Sequence, residues 1–427
     1  MRIAAAATAC FLALLVPPAS AAAPLRLVSS AKLDPRLEQL AFRTPAVKRI
    51  TGVRVLLPRG YAQHRAKHYP VLYLLHGAID NFRSWTDKGD AAQLALAYPM
   101  IVVMPDSGPD GGYTNWYNGG RGGPPEWETY HVDQLLPWID AHFRTIPTRA
   151  ERAVAGLSMG GYGAVTYAAQ RPDLFGAAAS FSGALDTNNP GDIAVTPPAT
   201  YGPRSTQELN WRAHNPLDLA ANLRGVALTL RTGNGQPGGP FGGGDVVEVV
   251  VHQMNIAFHD RLLKLGIPSI WDDYGPGGHD WPYWRRDLRR TLPWLMRLFD
   301  HPKPPPSSFT YTADAPRYAV YGWSATLRRR ALEFSTLTVS GRRAFSLTGS
   351  GSATISTGRM FRPRRSLRLR IRDATGVHTR RVTSDSSGRL TVTVSLGPSN
   401  RFQQYPVRAD RAPRHIVTAT VKVTAVP

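Results

Sequence analysis

The chain has 427 residues, a formal net charge of +21 and one cysteine, Cys10. Its length exceeds that of a usual single domain, and 42% hydrophobic residues are enough for a sizeable core, so we expect two folded domains. This composition excludes a mainly disordered chain, and the lone cysteine excludes a disulfide framework within it.

The first 23 residues have the pattern of a secretory signal peptide. Arg2 precedes an apolar stretch over residues 3–16, and small residues occupy positions 20–23. An uncleaved anchor is the alternative, but the stretch is short for a membrane span, and no later run offers the ~18 apolar residues that a span needs. We therefore expect an exported, soluble protein that loses Cys10 with its signal peptide.

Apolar runs alternate with amphipathic segments between residues 25 and 300. The runs predict strands at Val53–Leu57, Val71–Leu75, Met100–Met104, Ala153–Ala155, Ala177–Phe181, Val226–Leu230 and Ser269–Trp271. Helical spacing predicts helices at Trp127–Phe143, Gly161–Gln170 and Asp245–Leu265. This alternation is typical of an α/β fold with a mostly parallel sheet and helices on both faces.

The pattern changes after a proline-rich segment at residues 301–308, which predicts an extended linker. Beyond it, apolar and polar residues alternate with a period of two, as at residues 367–372 and 417–424. We expect a catalytic domain over residues 24–300 and a small all-β, sandwich-like domain over residues 309–427.

Residues 156–160 read Gly-Leu-Ser-Met-Gly, directly after the apolar run that ends at Ala155. A G-x-S-x-G motif between a strand and a helix is typical of a nucleophile elbow, in which a sharp turn exposes the serine. Ser158 is therefore the candidate nucleophile. The backbone amide of Met159 is a candidate oxyanion donor, because it follows the nucleophile.

A serine nucleophile needs a histidine base held by a carboxylate, here expected in the order serine, acid, histidine. His279 is the preferred base, because it lies in a glycine-rich loop just after the last predicted strand of the first domain. Asp245 and Glu248 are both suitable acids. The lower-ranked residues are His214, His252, His259, Asp260, Asp272 and Asp273.

The first domain resembles the esterase D / antigen 85 family of α/β-hydrolases. The matching segments are Trp127–Thr129, Gly156–Gly160, Gly233–Gly235 and His279–Trp284. The segments Tyr113–Tyr117, Gly233–Gly235 and His279–Trp284 are closer to the antigen 85 mycolyltransferases than to the formylglutathione hydrolases. The resemblance implies an α/β-hydrolase fold. It favours Glu248 over Asp245 as the acid, and it implies that the amide of Ala78 is the second oxyanion donor.

The resemblance leaves the reaction open. Where the mycolyltransferases have an aspartate and an arginine that help to bind trehalose, this chain has His76 and Ile79. We expect a secreted serine esterase that hydrolyses carboxylic esters, with an acyltransferase to a sugar or glyceride as the alternative. A cell-wall-binding protein without catalysis is the third hypothesis.

Two tryptophans, Trp116 and Trp281, are candidate substrate contacts, with core packing as the alternative. Trp211 is a further candidate. The segment 185–224, rich in proline, asparagine and threonine, is expected to cover the site. The sequence contains no metal-ligand cluster and no nucleotide-binding loop, so it implies no metal and no cofactor.

The positive charge is concentrated at one end of the chain. Residues 301–427 carry a net charge of +17 and the rest of the chain +4. The densest basic run has arginines at positions 362, 364, 365, 368, 370 and 372. We expect this domain to bind an anionic envelope polymer or lipid, because export argues against nucleic acid; a solvated face is the alternative.

Overall fold

A nine-stranded mixed sheet organises the first part of the chain. The computed structural model describes residues 25–405 and 414–425, so the expected signal peptide and Cys10 lie outside the described residues. The strands are β1 (Arg26–Lys32), β2 (Leu37–Arg43), β3 (Ile50–Leu56), β4 (Val71–Leu75), β5 (Ile101–Pro105), β6 (Arg152–Leu157), β7 (Ala177–Phe181), β8 (Ala227–Thr232) and β9 (Ile270–Asp273). Their order across the sheet is β1-β2-β3-β5-β4-β6-β7-β8-β9.

Strands β4 to β9 run parallel to one another, whereas β1, β2 and β3 add an antiparallel edge. Strands β4 to β7 are buried along their whole length. Within β4, Leu72 and Leu74 face one hydrophobic core, and Val71, Tyr73 and Leu75 face the other. Alternate residues of a strand point to opposite faces, so both faces are covered, and the predicted α/β class is confirmed.

The helices that cover the sheet vary widely in length. They are α1 (Ser84–Asp87), α2 (Ala91–Leu94), α3 (Leu136–His142), α4 (Met159–Gln170), α5 (Pro190–Val195), α6 (Pro198–Tyr201), α7 (Arg204–Ala213), α8 (Pro216–Leu219), α9 (Val246–Lys264) and α10 (Trp281–Phe299). The single helix expected at Trp127–Phe143 is instead a π-helical stretch, Thr129–Leu135, that continues into α3. Among the described residues, no helix is long and apolar enough to span a bilayer.

Two packed antiparallel sheets follow. Their strands are β10 (Ser308–Ala313), β11 (Arg317–Val320), β12 (Trp323–Arg328), β13 (Ser335–Ser340), β14 (Ala344–Gly349), β15 (Ser352–Ser356), β16 (Ser366–Asp373), β17 (Gly376–Thr383), β18 (Thr391–Ser395) and β19 (Val417–Ala425). The sheet orders are β10-β13-β14-β19-β16-β17 and β11-β12-β15-β18.

The inner faces of these two sheets share one core. Leu347 and Leu369 come from the six-stranded sheet, and Ile355 and Val392 come from the four-stranded sheet. The expected sandwich-like architecture is thus confirmed. Strand β10 begins at Ser308, the last residue of the expected linker, and residues 301–307 form no helix or strand.

Candidate active site

Ser158 occupies the sharp turn between β6 and α4, with a φ of 52° and a ψ of −121°. Positive φ is strained for a residue that has a Cβ, and such strain is typical of functional turns. The Ser158 N–H donates to the Phe181 carbonyl at 2.9 Å. A Cβ on Gly156 would strike the Gly160 carbonyl, and a Cβ on Gly160 would lie 2.5 Å from the His76 carbonyl oxygen. Both glycines of the motif are therefore needed for the turn to close.

His279 and Glu248 are in direct contact. His279 Nδ1 lies 2.7 Å from Glu248 Oε2, and the Glu248 side chain is fully buried. The other carboxylate oxygen, Oε1, accepts hydrogen bonds from Ser182 Oγ at 2.8 Å, Thr232 Oγ1 at 3.0 Å and the Gly233 N–H at 2.7 Å. These donors satisfy the buried carboxylate, because a buried polar group needs hydrogen-bond partners.

Asp245, the alternative acid, touches the backbone of His279 rather than its ring. It is the N-cap of α9, and its Oδ1 accepts from the Glu248 N–H at 2.8 Å. Its Oδ2 accepts from the His279 N–H at 2.6 Å. Asp245 is thus a positioning residue for both members of the pair. The geometry favours Glu248 as the partner of the imidazole.

The second imidazole nitrogen, His279 Nε2, is buried and has no hydrogen-bond partner among the described residues. The ring packs edge-on against Trp284, with centroids 5.0 Å apart. An Nε2 atom that accepts no other proton keeps the free lone pair that a general base needs.

Ala78, Ser158 and Met159 line the same cavity, which has a volume of about 380 Å³. The amides of Ala78 and Met159 donate to no acceptor within the described part of the chain. Two unpaired N–H groups beside a nucleophile are suited to bind a developing oxyanion. This role stays a prediction for both residues.

His76 is buried and holds the loop that carries Ala78. Its Nε2 accepts from the Ser107 N–H at 2.9 Å, so Nδ1 carries the proton and donates to the Gly77 carbonyl at 2.8 Å. The Tyr113 hydroxyl donates to the His76 carbonyl at 2.9 Å. These contacts give His76 a structural position.

Part of the segment 185–224 lines the cavity, mainly through the short helices α5 and α6. Tyr201 from this segment and Tyr162 from α4 line it, with their hydroxyls 2.6 Å apart. Tyr162 donates onward to the His214 carbonyl at 2.9 Å. Valines of α9 form the facing wall, so the cavity is largely apolar.

The two candidate tryptophans pack within the protein, and their role as substrate contacts stays a prediction. Trp116 donates from its indole nitrogen to the Gly111 carbonyl at 3.0 Å, and Trp281 packs edge-on between Trp85 and Trp284. Neither is among the residues that line the cavity. Trp211 is buried against Tyr162 and Tyr201, one layer behind the wall.

The other downstream histidines have partners of their own. His252 Nε2 lies 2.8 Å from Asp273, and His259 stacks on Trp271 at 4.7 Å. His214 Nδ1 lies 2.8 Å from the Asn210 carbonyl. None of them contacts Glu248.

Ser182, Thr232 and Asp192 are among the residues of the site that were not predicted. Ser182 follows β7 and Thr232 ends β8, at the sheet edge where Ser158 follows β6. The rule that carboxyl ends of parallel strands share one edge could have found both. Asp192, which lines the cavity, lies in a short helix with no sequence signal for its position.

Comparisons with known proteins identify the family of this chain. The model of the Esterase family matches residues 44–295. The chain belongs to the Esterase family. It is 36% identical over 273 residues to the esterase Rv1288 of Mycobacterium tuberculosis, covering 60% of this chain and 58% of that protein.

A second relative is the diacylglycerol acyltransferase/mycolyltransferase Ag85B of Mycolicibacterium smegmatis, 30% identical over 254 residues, covering 53% of this chain and 76% of that protein. A solved ferulic acid esterase aligns with a TM-score of 0.50 and 28% identity, over 62% of this chain and 98% of that structure. The predicted family and its α/β-hydrolase fold are thus confirmed. The chain spans little more than half the length of Rv1288.

Proposed function

We propose that this protein is an exported serine esterase in which Ser158, His279 and Glu248 act together. The observation that carries the proposal is the 2.7 Å contact between His279 Nδ1 and the buried Glu248 carboxylate, at the sheet edge where Ser158 lies. Such a carboxylate holds the imidazole in the tautomer whose Nε2 can accept a proton. Export rests on the pattern of the first 23 residues.

The reaction proceeds through an acyl-enzyme. Ser158 Oγ attacks the ester carbonyl carbon while its proton passes to His279 Nε2, and the amides of Ala78 and Met159 bind the oxyanion. The intermediate collapses, and the alcohol leaves with the proton from His279. Water then attacks the acyl group, gives a proton to His279 and releases the acid, which restores Ser158.

Acyl transfer is the second candidate, and the Ag85B relative favours it. An alcohol would then replace water in the last step, with every other role unchanged. Ile79 stands in the loop beside Ala78 with 89% of its surface exposed, where the mycolyltransferases carry an arginine. Any acceptor must therefore be bound without that charge.

The test uses p-nitrophenyl esters of short and long acyl chains, with and without trehalose, glucose or diacylglycerol. Free acid as the product, unaffected by the acceptor, supports the esterase, whereas acylated acceptor formed at its expense supports transfer. Ser158→Ala and His279→Ala should abolish turnover. His252→Ala, a histidine on α9 outside the site, is the matched control, and turnover that survives Ser158→Ala would refute both reactions.

We also propose that the outer face of β16, β17 and β19 binds an anionic polymer of the cell envelope. This basic face carries five exposed cations: Arg368, Arg370, Arg372, Arg381 and Lys422. Arg368 lies directly opposite Arg381, and Arg370 lies opposite Lys422. Like charges in such pairs are destabilising, and none of the five has an acidic partner among the described residues.

An anion between the strands would relieve this repulsion. Alternate residues of a strand lie ~6.6–6.8 Å apart, and neighbouring strands lie ~4.8 Å apart. The positive side chains of the basic face are therefore regularly spaced. An arginine guanidinium group can donate two parallel hydrogen bonds to the oxygens of one phosphate, which favours a phosphodiester polymer as the ligand.

Binding of the full mature chain to immobilised polyphosphate tests this proposal. We expect binding that weakens steeply with salt and that is lost in the double variant Arg368→Glu/Arg370→Glu. The control is Arg342→Glu/Arg343→Glu, exposed turn residues with the same charge change. Equal loss in both variants would reduce the effect to net charge, and insensitivity to salt would rule out the basic face.

A further inference from the structure

One carboxyl group lies in the wall of the apolar cavity beside Ser158. Asp192 belongs to α5, whose N-terminus is capped by Asn189 Oδ1, which accepts from the Gly191 N–H at 2.9 Å. Helix α5 packs closely on α9, because a Cβ on Gly191 would lie 2.8 Å from Val250 Cγ1. The position of Asp192 in the wall is therefore fixed from both sides.

The surroundings of Asp192 are mostly apolar. The same cavity is lined by Val195, Val246, Val247, Val250, Val251 and Met254. Within the described part of the chain, the one side-chain hydrogen bond to the Asp192 carboxyl comes from Thr196 Oγ1, at 3.3 Å. No lysine, arginine or histidine forms an ion pair with it among the described residues.

This environment disfavours the charged form. Burial raises the pKa of Asp192 to about 7. The hydrogen bond from Thr196 lowers this pKa, and the negative charge of Asp186 raises it, but both effects are smaller than that of burial. Near neutral pH, Asp192 is therefore present both as a carboxylate and as a neutral acid. A hydroxyl group can donate to either form, and the neutral acid can also donate to the hydroxyl.

We propose that Asp192 is a specificity-determining residue, which hydrogen-bonds a hydroxyl group on the acyl half of an ester bound in the cavity. The inference rests on the proposed esterase function and names its substrate class. A purely apolar acyl chain would shield Asp192 from water and leave its carboxyl with only the long hydrogen bond from Thr196 among the described residues, which is costly. Sites built around a buried polar group strongly reject the analogue that lacks the matching hydroxyl.

The two tyrosine hydroxyls near Asp192 already have hydrogen-bond partners, so they do not take this role. The hydroxyls of Tyr162 and Tyr201 bond to each other, and the Tyr162 proton goes to the His214 carbonyl. Thr200 Oγ1, also in the wall, is buried and has no hydrogen-bond partner among the described residues. A hydroxylated ligand would meet the polar groups of this wall without breaking the tyrosine pair.

The cavity suits the acyl half of the ester better than its alcohol half. The acyl group stays on Ser158 in the intermediate, whereas the alcohol must leave and give access to water or an acceptor. At about 380 Å³, the cavity lies at the small end of the ~300–1,000 Å³ typical of small-molecule sites. A short or medium acyl group with one hydroxyl fits that volume.

The experiment compares kcat/KM for p-nitrophenyl octanoate with that for its 6-, 7- and 8-hydroxy derivatives, on the full mature chain. We expect at least one hydroxylated ester to be preferred by the wild type. Asp192→Leu should lower that preference at least ~10-fold and improve turnover of the plain octanoate, because the desolvated polar group is gone. Asp192→Asn, which keeps hydrogen-bonding atoms, should retain most of the preference.

Asp110→Leu is the matched control, since Asp110 is the other carboxylate that lines the cavity, and it is exposed. A preference unchanged in Asp192→Leu, or lost equally in Asp110→Leu, would overturn the inference. A hydroxyl preference confined to the alcohol half of the ester would overturn it as well. Failure of the proposed function is distinguishable, because turnover would then persist in Ser158→Ala.

Discussion

Two carboxylates three positions apart reach the same histidine in different ways. Glu248 contacts the His279 ring, whereas Asp245 contacts only the His279 backbone. Glu248→Gln should therefore lower kcat far more than Asp245→Asn does. Loss of the acid that orients a triad histidine has cost on the order of 10⁴-fold in a well-studied protease.

The measurement is kcat for a p-nitrophenyl ester in both variants, with thermal unfolding to show that each is folded. We expect Asp245→Asn to keep a larger share of activity, because the amide oxygen can still accept one of the two backbone hydrogen bonds. A larger loss of kcat in folded Asp245→Asn than in Glu248→Gln would reverse the two assignments.

The sequence predicted the central elements better than the irregular ones. Strands such as β4 and β6 were predictable because parallel strands covered on both faces are continuous apolar runs. Helix α10 was missed although it is 19 residues long, and so was the exposed edge strand β1. The π-helical stretch before α3 keeps a helix-like apolar pattern, so periodicity alone could not distinguish it from an α-helix.

Ser158 and His279 stood out because glycines flank them in sequence. The cavity wall formed by α5 and α6 could not be predicted residue by residue, because these helices are short and their positions depend on tertiary contacts. Asp192 shows this limit. Its neighbours in the wall include Val250 and Met254, which lie about 60 positions further along the chain.

At the scale of elements, α4 packs directly on the loop that carries Ala78. A Cβ on Gly160 would lie 2.5 Å from the carbonyl oxygens of both Leu75 and His76, which are backbone atoms that cannot rotate away. Gly160→Ala should push this loop outward, lower kcat and destabilise the fold by about 1–3 kcal/mol, as overpacking does.

Urea unfolding and esterase kinetics measure both effects. Gly349→Ala in β14 is the control, because its nearest contacts would be at 3.5 Å or more, an ordinary van der Waals distance. A Gly160→Ala protein with wild-type kcat and stability would show that the loop adjusts freely, against this account.

At the scale of the whole molecule, hydrogen bonds as well as the chain itself join the β-sandwich to the part of the protein built on the nine-stranded sheet. The Asn222 side chain pairs with the backbone of Thr312 in β10: its Nδ2 donates to the carbonyl at 2.9 Å, and its Oδ1 accepts from the N–H at 2.8 Å. Nearby, the Tyr311 hydroxyl donates to the Gln170 carbonyl at the end of α4 at 2.7 Å. The β-sandwich is thereby fastened to the helix that begins at the nucleophile turn.

Asn222→Ala removes both hydrogen bonds to Thr312 and leaves two backbone groups without their partners. We expect the free energy of unfolding to fall by about 1–3 kcal/mol, because unsatisfied buried groups carry that cost. The urea midpoint should fall with the slope m unchanged, since the surface exposed on unfolding stays the same. Thr310→Ala, on the outer face of β10, should shift the midpoint little. If both variants shift it equally, the Asn222–Thr312 contact contributes no special stability.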